Sequence, residues 1–250
     1  MTTATALRTA LALAVLLGVF LAVTTAARIP VRRDTAVAVA RAGVQLVAVA
    51  VVIAWVFRHP EAAALYLVVM VAVAGWTASR RIGLGSPAVA PVVLAVAAGG
   101  ATAVLPVVAA GALHPGSATL VPFAAQMIGG AMSAAAVTGL RMRDDLRTGW
   151  DVVEGWLALG ATPRQAVAED ARRAVARALV PGMDQTRSAG LVTLPGAFVG
   201  LLLGGASPAQ AAQVQLLVLV GLLAAQAVTG VLTARLLAGR LGRLRPVAEV

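Results

Sequence analysis

Glu154, Trp156, Leu157, Gly160, Ala161, Thr162 and Pro163 stand within a single short run of this 250-residue chain, and they are its most suggestive set of side chains. A carboxylate, a large aromatic, a glycine and a helix start in that order suit contact with another macromolecule better than bond-making. Elsewhere the means for catalysis are thin. The two histidines, His59 and His114, fall in short turns between apolar runs, and cysteine is absent. Neither a Ser-His-Asp set nor a His-Glu-x-x-His pair can be assembled, so an enzyme is not expected. All twenty basic residues are arginine. A phosphate-binding loop of the Walker type needs a lysine, so this chain holds no such loop of its own and no cofactor site is expected in it.

A second group of candidates is polar or soft residues inside apolar stretches: Gln45, Gln126, Met127, Met132, Ser133 and Thr193. Such residues could line a path through a membrane. None forms a metal-ligand set by spacing, and a metal site cannot be assigned from the sequence. Asp and Glu are missing from every apolar stretch counted as a span below, which argues against an ion-coupled carrier, because such carriers place carboxylates at depth.

The elements that must position these residues are membrane helices. The chain is 60% hydrophobic with a mean hydropathy of +0.91, well above an ordinary soluble domain. Stretches near 20 residues long suffice to cross an apolar layer of ~30 Å. Seven are expected, at about 7–27, 37–57, 62–79, 88–113, 120–140, 190–205 and 214–237. Together they make one all-α transmembrane domain over residues 1–250. The first is longer than the apolar part of a signal peptide and is followed by arginines, so it is expected to be retained. Pro91 and Pro106 are expected to interrupt the fourth. His114 to Ser117 should turn the chain into the fifth.

The net charge of +10 does not indicate nucleic acid, because the arginines sit at the ends of apolar runs. They report topology. Arg28, Arg32 and Arg33, then Arg80 and Arg81, then the stretch after the fifth span, and finally Arg240, Arg243 and Arg245 fall on one side, against Arg8 and Arg58 on the other. The positive-inside rule then puts the N-terminus outside and the C-terminus in the cytoplasm, in a multi-pass protein of the plasma or inner membrane.

Residues 141–189 form the expected cytoplasmic elbow. Thr162, Pro163 and Gln165 read as a capping box with proline in the first turn. Val167, Ala171, Ala174, Val175 and Ala178 share one face, Glu169 and Arg173 are spaced to pair on the other, and Pro181 with Gly182 should end the helix. Upstream, Val153, Trp156, Leu157 and Ala161 make a second amphipathic run, whose aromatic needs cover from a membrane surface or a docked protein. Beyond the elbow, Gly196, Gly200 and Gly204 recur every fourth residue, the small-residue pattern that allows a second helix to approach closely.

Four stretches carry a family resemblance: RAGVQL from Arg41, WTASRR from Trp76, LALGATP from Leu157 and GLVTLPGAFVGLLLGGASPAQAAQVQ from Gly190. They resemble the Fet-type iron-export permeases of ABC transporters, a family that includes plant aluminium-tolerance permeases. The resemblance implies a permease that works with a separate P-loop ATPase subunit, which binds the ATP, and with a second copy of itself. It implies metal, iron foremost, as the exported substrate. It also implies that Glu154 to Pro163 is the element that docks in the ATPase, since the Glu154 to Gly160 spacing is similar to that of coupling loops in many ABC permeases. The chain departs from the family in two places. Met127 to Ser133 (MIGGAMS) stands where asparagines are usual, and Ala197 and Phe198 stand where methionines are usual. An ATP-independent carrier, with Gln45 and Gln126 as ion contacts, and a non-transporting scaffold are the alternative expectations.

The arginine asymmetry makes a direct prediction. A reporter fused after Arg164 should read cytoplasmic and one inserted at Pro208 external; cytoplasmic signals at both would remove the crossing between them.

Overall fold

The computed structural model describes residues 3–30, 32–113 and 116–243. The turn expected at His114 and Pro115, and the terminal Arg245, lie outside them. Two compact units divide the chain, Met1–Arg58 and His59–Val250.

The first unit is a pair of helices, α1 (Thr3–Ala26) and α2 (Arg32–Arg58). The turn after α1 is closed by Ala27 N–H to the Val23 carbonyl and Ile29 N–H to the Thr24 carbonyl. Arg28 sits there with φ 55°, a left-handed conformation that single residues adopt at turns.

In the second unit, α3 (Ala63–Ile82), α4 (Val89–Ala109) and α5 (Ser117–Thr148) follow one another through short connections. Adjacent helices joined so briefly must run antiparallel. The elbow holds the end of α5, then α6 (Trp150–Ala158), the single turn α7 (Pro163–Ala166) and α8 (Ala168–Ser188). An eight-residue α9 (Gly196–Leu203) precedes the long α10 (Pro208–Leu241). No strand forms among the described residues; a lone bridge links Ala189 and Thr193.

Among the described residues, six helices are long and apolar enough to cross a membrane. The stretch expected to be the sixth of seven spans, 190–205, is not one helix. Eight residues of α9 rise only about 12 Å, less than half an apolar layer. The chain nevertheless has to recross there, because α5 and α10 run in the same direction. Gly221 on α10 lies opposite Met127 on α5, and Gly230 lies opposite Thr138. The return is made in two pieces. Along α8, Arg164 near its foot lies against Gly239, Val175 against Gly230 and Gly182 against Gln226, so α8 climbs antiparallel to α10. A compact turn follows, in which the Ser188 carbonyl accepts from Val192 N–H at 3.0 Å and Gly190 takes φ 82°. Then α9 continues beside the start of α10, where Phe198 N–H donates to Gln215 Oε1 at 3.2 Å.

Prolines are tolerated where packing holds the helix. Pro91 falls in the first turn of α4, where its missing N–H is not needed, and Pro106 lies inside α4 without ending it. The stop expected at Pro181 and Gly182 does not occur. The α8 helix runs on to Ser188, since Gly182 is buried against Gln226 and Leu223 of α10 and that contact outweighs the one lost hydrogen bond.

Small residues make the core. Ala78, Ile82, Val92, Val96, Ala131, Ala135 and Leu237 are buried together, and Phe123 and Met127 form a second cluster with Ala103, Val218 and Ala225. In a lipid environment helices gain little from hydrophobic burial and associate through close packing. The Thr229 hydroxyl donates across it to the Ala95 carbonyl at 3.3 Å. Gly99 is the tightest point of the α4–α10 contact, where an added Cβ would lie 2.5 Å from the Ala225 carbonyl; at neighbouring Gly100 the nearest atom would be 3.5 Å away. Gly99→Ala should therefore cost about 1–3 kcal/mol through overpacking. Gly100→Ala should be neutral or stabilising by up to about 1 kcal/mol, since alanine favours the helix over glycine. Thermal unfolding in detergent checks both.

Candidate coupling surface and pathway residues

The Glu154–Pro163 run folds as the sequence suggests at its second half. Thr162 accepts from Gln165 N–H through its side chain, and Gln165 Oε1 accepts from Thr162 N–H at 2.9 Å, completing the capping box with Pro163 in the first turn. Gly160 has φ 88°, a conformation that glycine adopts freely and β-branched residues do not. It reverses the chain between α6 and α7.

The exposed face of α6 differs from the one expected. Val153 is fully buried, and Leu157 packs partly against the core with Trp150. Exposed instead are Val152, Trp156 and Leu159, the last at 81%. These three recur at i, i+4 and i+7 and so form one stripe. Glu154 is held by the indole of Trp150, whose Nε1 donates to Glu154 Oε1 at 3.0 Å. Nothing crowds Gly155, so the surface between Val152 and Trp156 is open. Ala161 lies beside the cap, partly buried.

This surface is seated on the long helices by contacts that sequence reading missed. A Cβ on Gly242 would lie 2.9 Å from the Pro163 carbonyl carbon, and one on Gly239 would meet the Arg164 side chain at 3.2 Å. Glycines just inside and beyond the end of α10 thus let α7 rest directly on its backbone. A groove of about 560 Å³ beside them is lined by Thr162, Pro163, Arg164, Arg240 and Arg243, giving it a basic wall. Two further contacts fix neighbouring helices. Arg143 Nη1 donates to the last carbonyl of α3, Ile82, at 3.0 Å. Arg177 Nη1 donates to Asp145 Oδ1 at 2.8 Å and ties α8 to α5. The pairing expected between Glu169 and Arg173 is replaced by i,i+3 pairs, Arg172 with Glu169 at 3.0 Å and Arg173 with Asp170.

The remaining candidates do not converge. Gln45 is exposed on α2 in the first unit. Met127 is fully buried core, and Met132 is partly buried. Gln126 and Ser133 are exposed on one side of α5, with Gly129 between them unobstructed. Thr193 is exposed in the turn after α8, its hydroxyl directed at the Ser188 carbonyl at 3.4 Å. Among the described residues nothing lies within 4 Å of where a Cβ on Gly196 or Gly200 would stand, and Gly204 meets only carbonyls of its own helix. The close approaches occur at Gly75, Gly99, Gly139 and Gly221 instead. Periodicity revealed a smooth face on α9 but could not say whether anything covers it. Among the described residues no group of three or more His, Cys, Asp or Glu could hold a metal ion.

These features define a class, an all-helical multi-pass membrane protein with a rigidly seated helical elbow at one end. The chain belongs to the family described as Uncharacterised protein family (UPF0014), which matches residues 7–241. It is similar to UPF0014 membrane protein STAR2 of Oryza sativa subsp. japonica, 38% identical over 202 residues, covering 78% of this chain and 70% of the relative. Protein ALUMINUM SENSITIVE 3 of Arabidopsis thaliana is 34% identical over 183 residues, 72% of this chain and 67% of the relative. Probable iron export permease protein FetB of Escherichia coli (strain K12) is 28% identical over 193 residues, 76% and 74% respectively. No solved structure matches the chain.

The seat of α7 can be tested apart from any activity. Gly242→Ala should lift α7 from α10 and raise amide hydrogen exchange across Thr162 to Val167, while exchange in α3 and α4 stays unchanged.

Proposed function

We propose that the chain is the permease subunit of an ABC transporter in the cell membrane, driven by ATP bound and hydrolysed on a separate P-loop subunit, and that it exports a metal ion, with iron the leading candidate. Two copies pair in the working transporter. The observation that carries this reading is the exposed stripe of Val152, Trp156 and Leu159 on a helical elbow whose next turn rests on α10. An apolar stripe beside a basic groove suits a partner protein, and its seat on a spanning helix gives docking a mechanical route into the membrane. The relative named as an iron export permease supports the metal assignment.

The residues act by position. Gly160 reverses the chain so that α6 projects, Thr162 and Gln165 fix the start of α7, and Pro163 passes load to Gly242. Trp156 supplies the anchor. An ATP-independent carrier is the second reading, favoured by one observation. The long helices keep their carboxylates at their ends, but α8 carries Asp184 alongside the middle of α10.

The test is co-purification with a candidate P-loop ATPase subunit from the same organism, followed by metal export and metal-stimulated ATP hydrolysis in reconstituted vesicles. Trp156→Ala should weaken docking by about tenfold or more, as loss of a central aromatic anchor does. Gly160→Val should bind less well and hydrolyse ATP without transport. Export that continues without nucleotide would select the carrier, and full coupled transport in both variants would move the docking role elsewhere.

A further inference from the structure

The exposed side of α8 is a mismatch with its surroundings. Gly182 lies against Gln226 and Leu223, and Gln226 is two residues from the midpoint of α10, which runs from Pro208 to Leu241. The next turn of α8 therefore stands at mid-height of a bundle in which α3, α4, α5 and α10 carry no Asp, Glu or Arg within two turns of that level. That turn reads Asp184, Gln185, Thr186, Arg187. Thr186 turns its hydroxyl inward onto the Gly182 carbonyl at 2.8 Å. Asp184 and Arg187 point outward, with side chains 61% and 76% exposed and a loose ion pair at 3.5 Å. Ionised groups at such a height face protein or water, not hydrocarbon chains.

Other oxygen donors gather at the same height. Gln226 is flanked by Gly182 of α8 and by Gly130 of α5, so three helices meet around it, and its buried Oε1 has no partner. One turn to either side of Gly130, Gln126 and Ser133 stand exposed on α5. Immediately beyond, the chain leaves helical geometry between Ala189 and Pro195. Breaks in a crossing at mid-height are tolerated where the backbone lines a polar cavity.

We propose that this side of α8 faces a water-filled path and that Asp184 is the contact in it for a divalent metal cation. Gln185, next to it on α8, supplies a further oxygen to the cation or its hydration shell. Oxygen donors of this kind suit a hard ion that keeps part of its water. A single carboxylate holds such an ion in passing, which fits the lack of any three-ligand cluster among the described residues. Arg187 balances Asp184 when the cation is away, and the length of their pair leaves the carboxylate free to exchange partners. The identity of the ion rests on the permease reading above; the wet path does not.

The chain has no cysteine, so single thiols can be placed without background. In sealed membranes, Asp184→Cys and Arg187→Cys should react with a small membrane-impermeant maleimide at least about tenfold faster than Leu105→Cys, an exposed position on α4 at similar height, because only a hydrated thiol ionises readily. Equal, slow labelling of all three would overturn the wet path. In Gln185→Cys, millimolar Mn(II) should slow labelling by about threefold or more, and the added change Asp184→Asn should abolish that protection by removing the anionic oxygen donor. Absent protection, or protection that survives Asp184→Asn, would overturn the cation contact. Intact labelling and protection in a protein that moves no metal would keep this site and remove the permease reading instead.

Discussion

The same-direction packing of α5 and α10 is the constraint from which the rest of the second unit follows. Two helices that run alike oblige the chain between them to regain the full height of the bundle. Here the return is shared by α8 and α9, with an irregular turn between them. Neither piece meets the length and apolarity required of a spanning helix. Both are held in place by α10, through Gly182 against Gln226 at one level and Phe198 against Gln215 at another. The return path can therefore carry charges that a lipid-facing helix could not.

Close approach through small residues makes that packing possible. Gly99 admits Thr229 and the Ala225 backbone, Gly139 admits Ile82, and Gly75 admits Val93. At each of these points the absence of a Cβ lets a neighbouring side chain or backbone come close enough for strong dispersion contact. The same device recurs at the elbow, where Gly239 and Gly242 receive Arg164 and Pro163. Glycine placement, more than bulky side chains, sets the relative heights of α5, α7, α8 and α10.

Much of this was legible in the sequence where a local rule decides the outcome. Apolar length gave the six long apolar helices and failed only at 190–205, and the Thr162–Gln165 capping box formed as read. The positive φ of Gly160 agrees with the bend expected there. What was not legible depends on partners distant in sequence. Pro181 and Gly182 read as a stop because nothing local shows Gln226 waiting to cover the glycine. Trp156 and Leu157 read as one face, although only packing against the core separates them, sending Leu157 inward and leaving Val152, Trp156 and Leu159 outside. Gly196, Gly200 and Gly204 followed a contact pattern that no other helix answers among the described residues, while Gly242, which matters to the elbow, has no periodic signal at all.

The length of α10 has a mechanical consequence. Its 34 residues make a rod about 50 Å long, some 20 Å more than an apolar layer requires. One end carries α7, and close contacts near Gly221 and Gly230 hold the middle, so a tilt about them would move α7. With an arm of about 25 Å to either side of its midpoint, a tilt of about 10° would carry the tip roughly 4 Å. A displacement of that size at the elbow would be returned, reversed in direction, to the stretch beside α9. Force applied at the elbow would then be felt at the far end of α10 as a change of gap beside α9, without that helix having to bend.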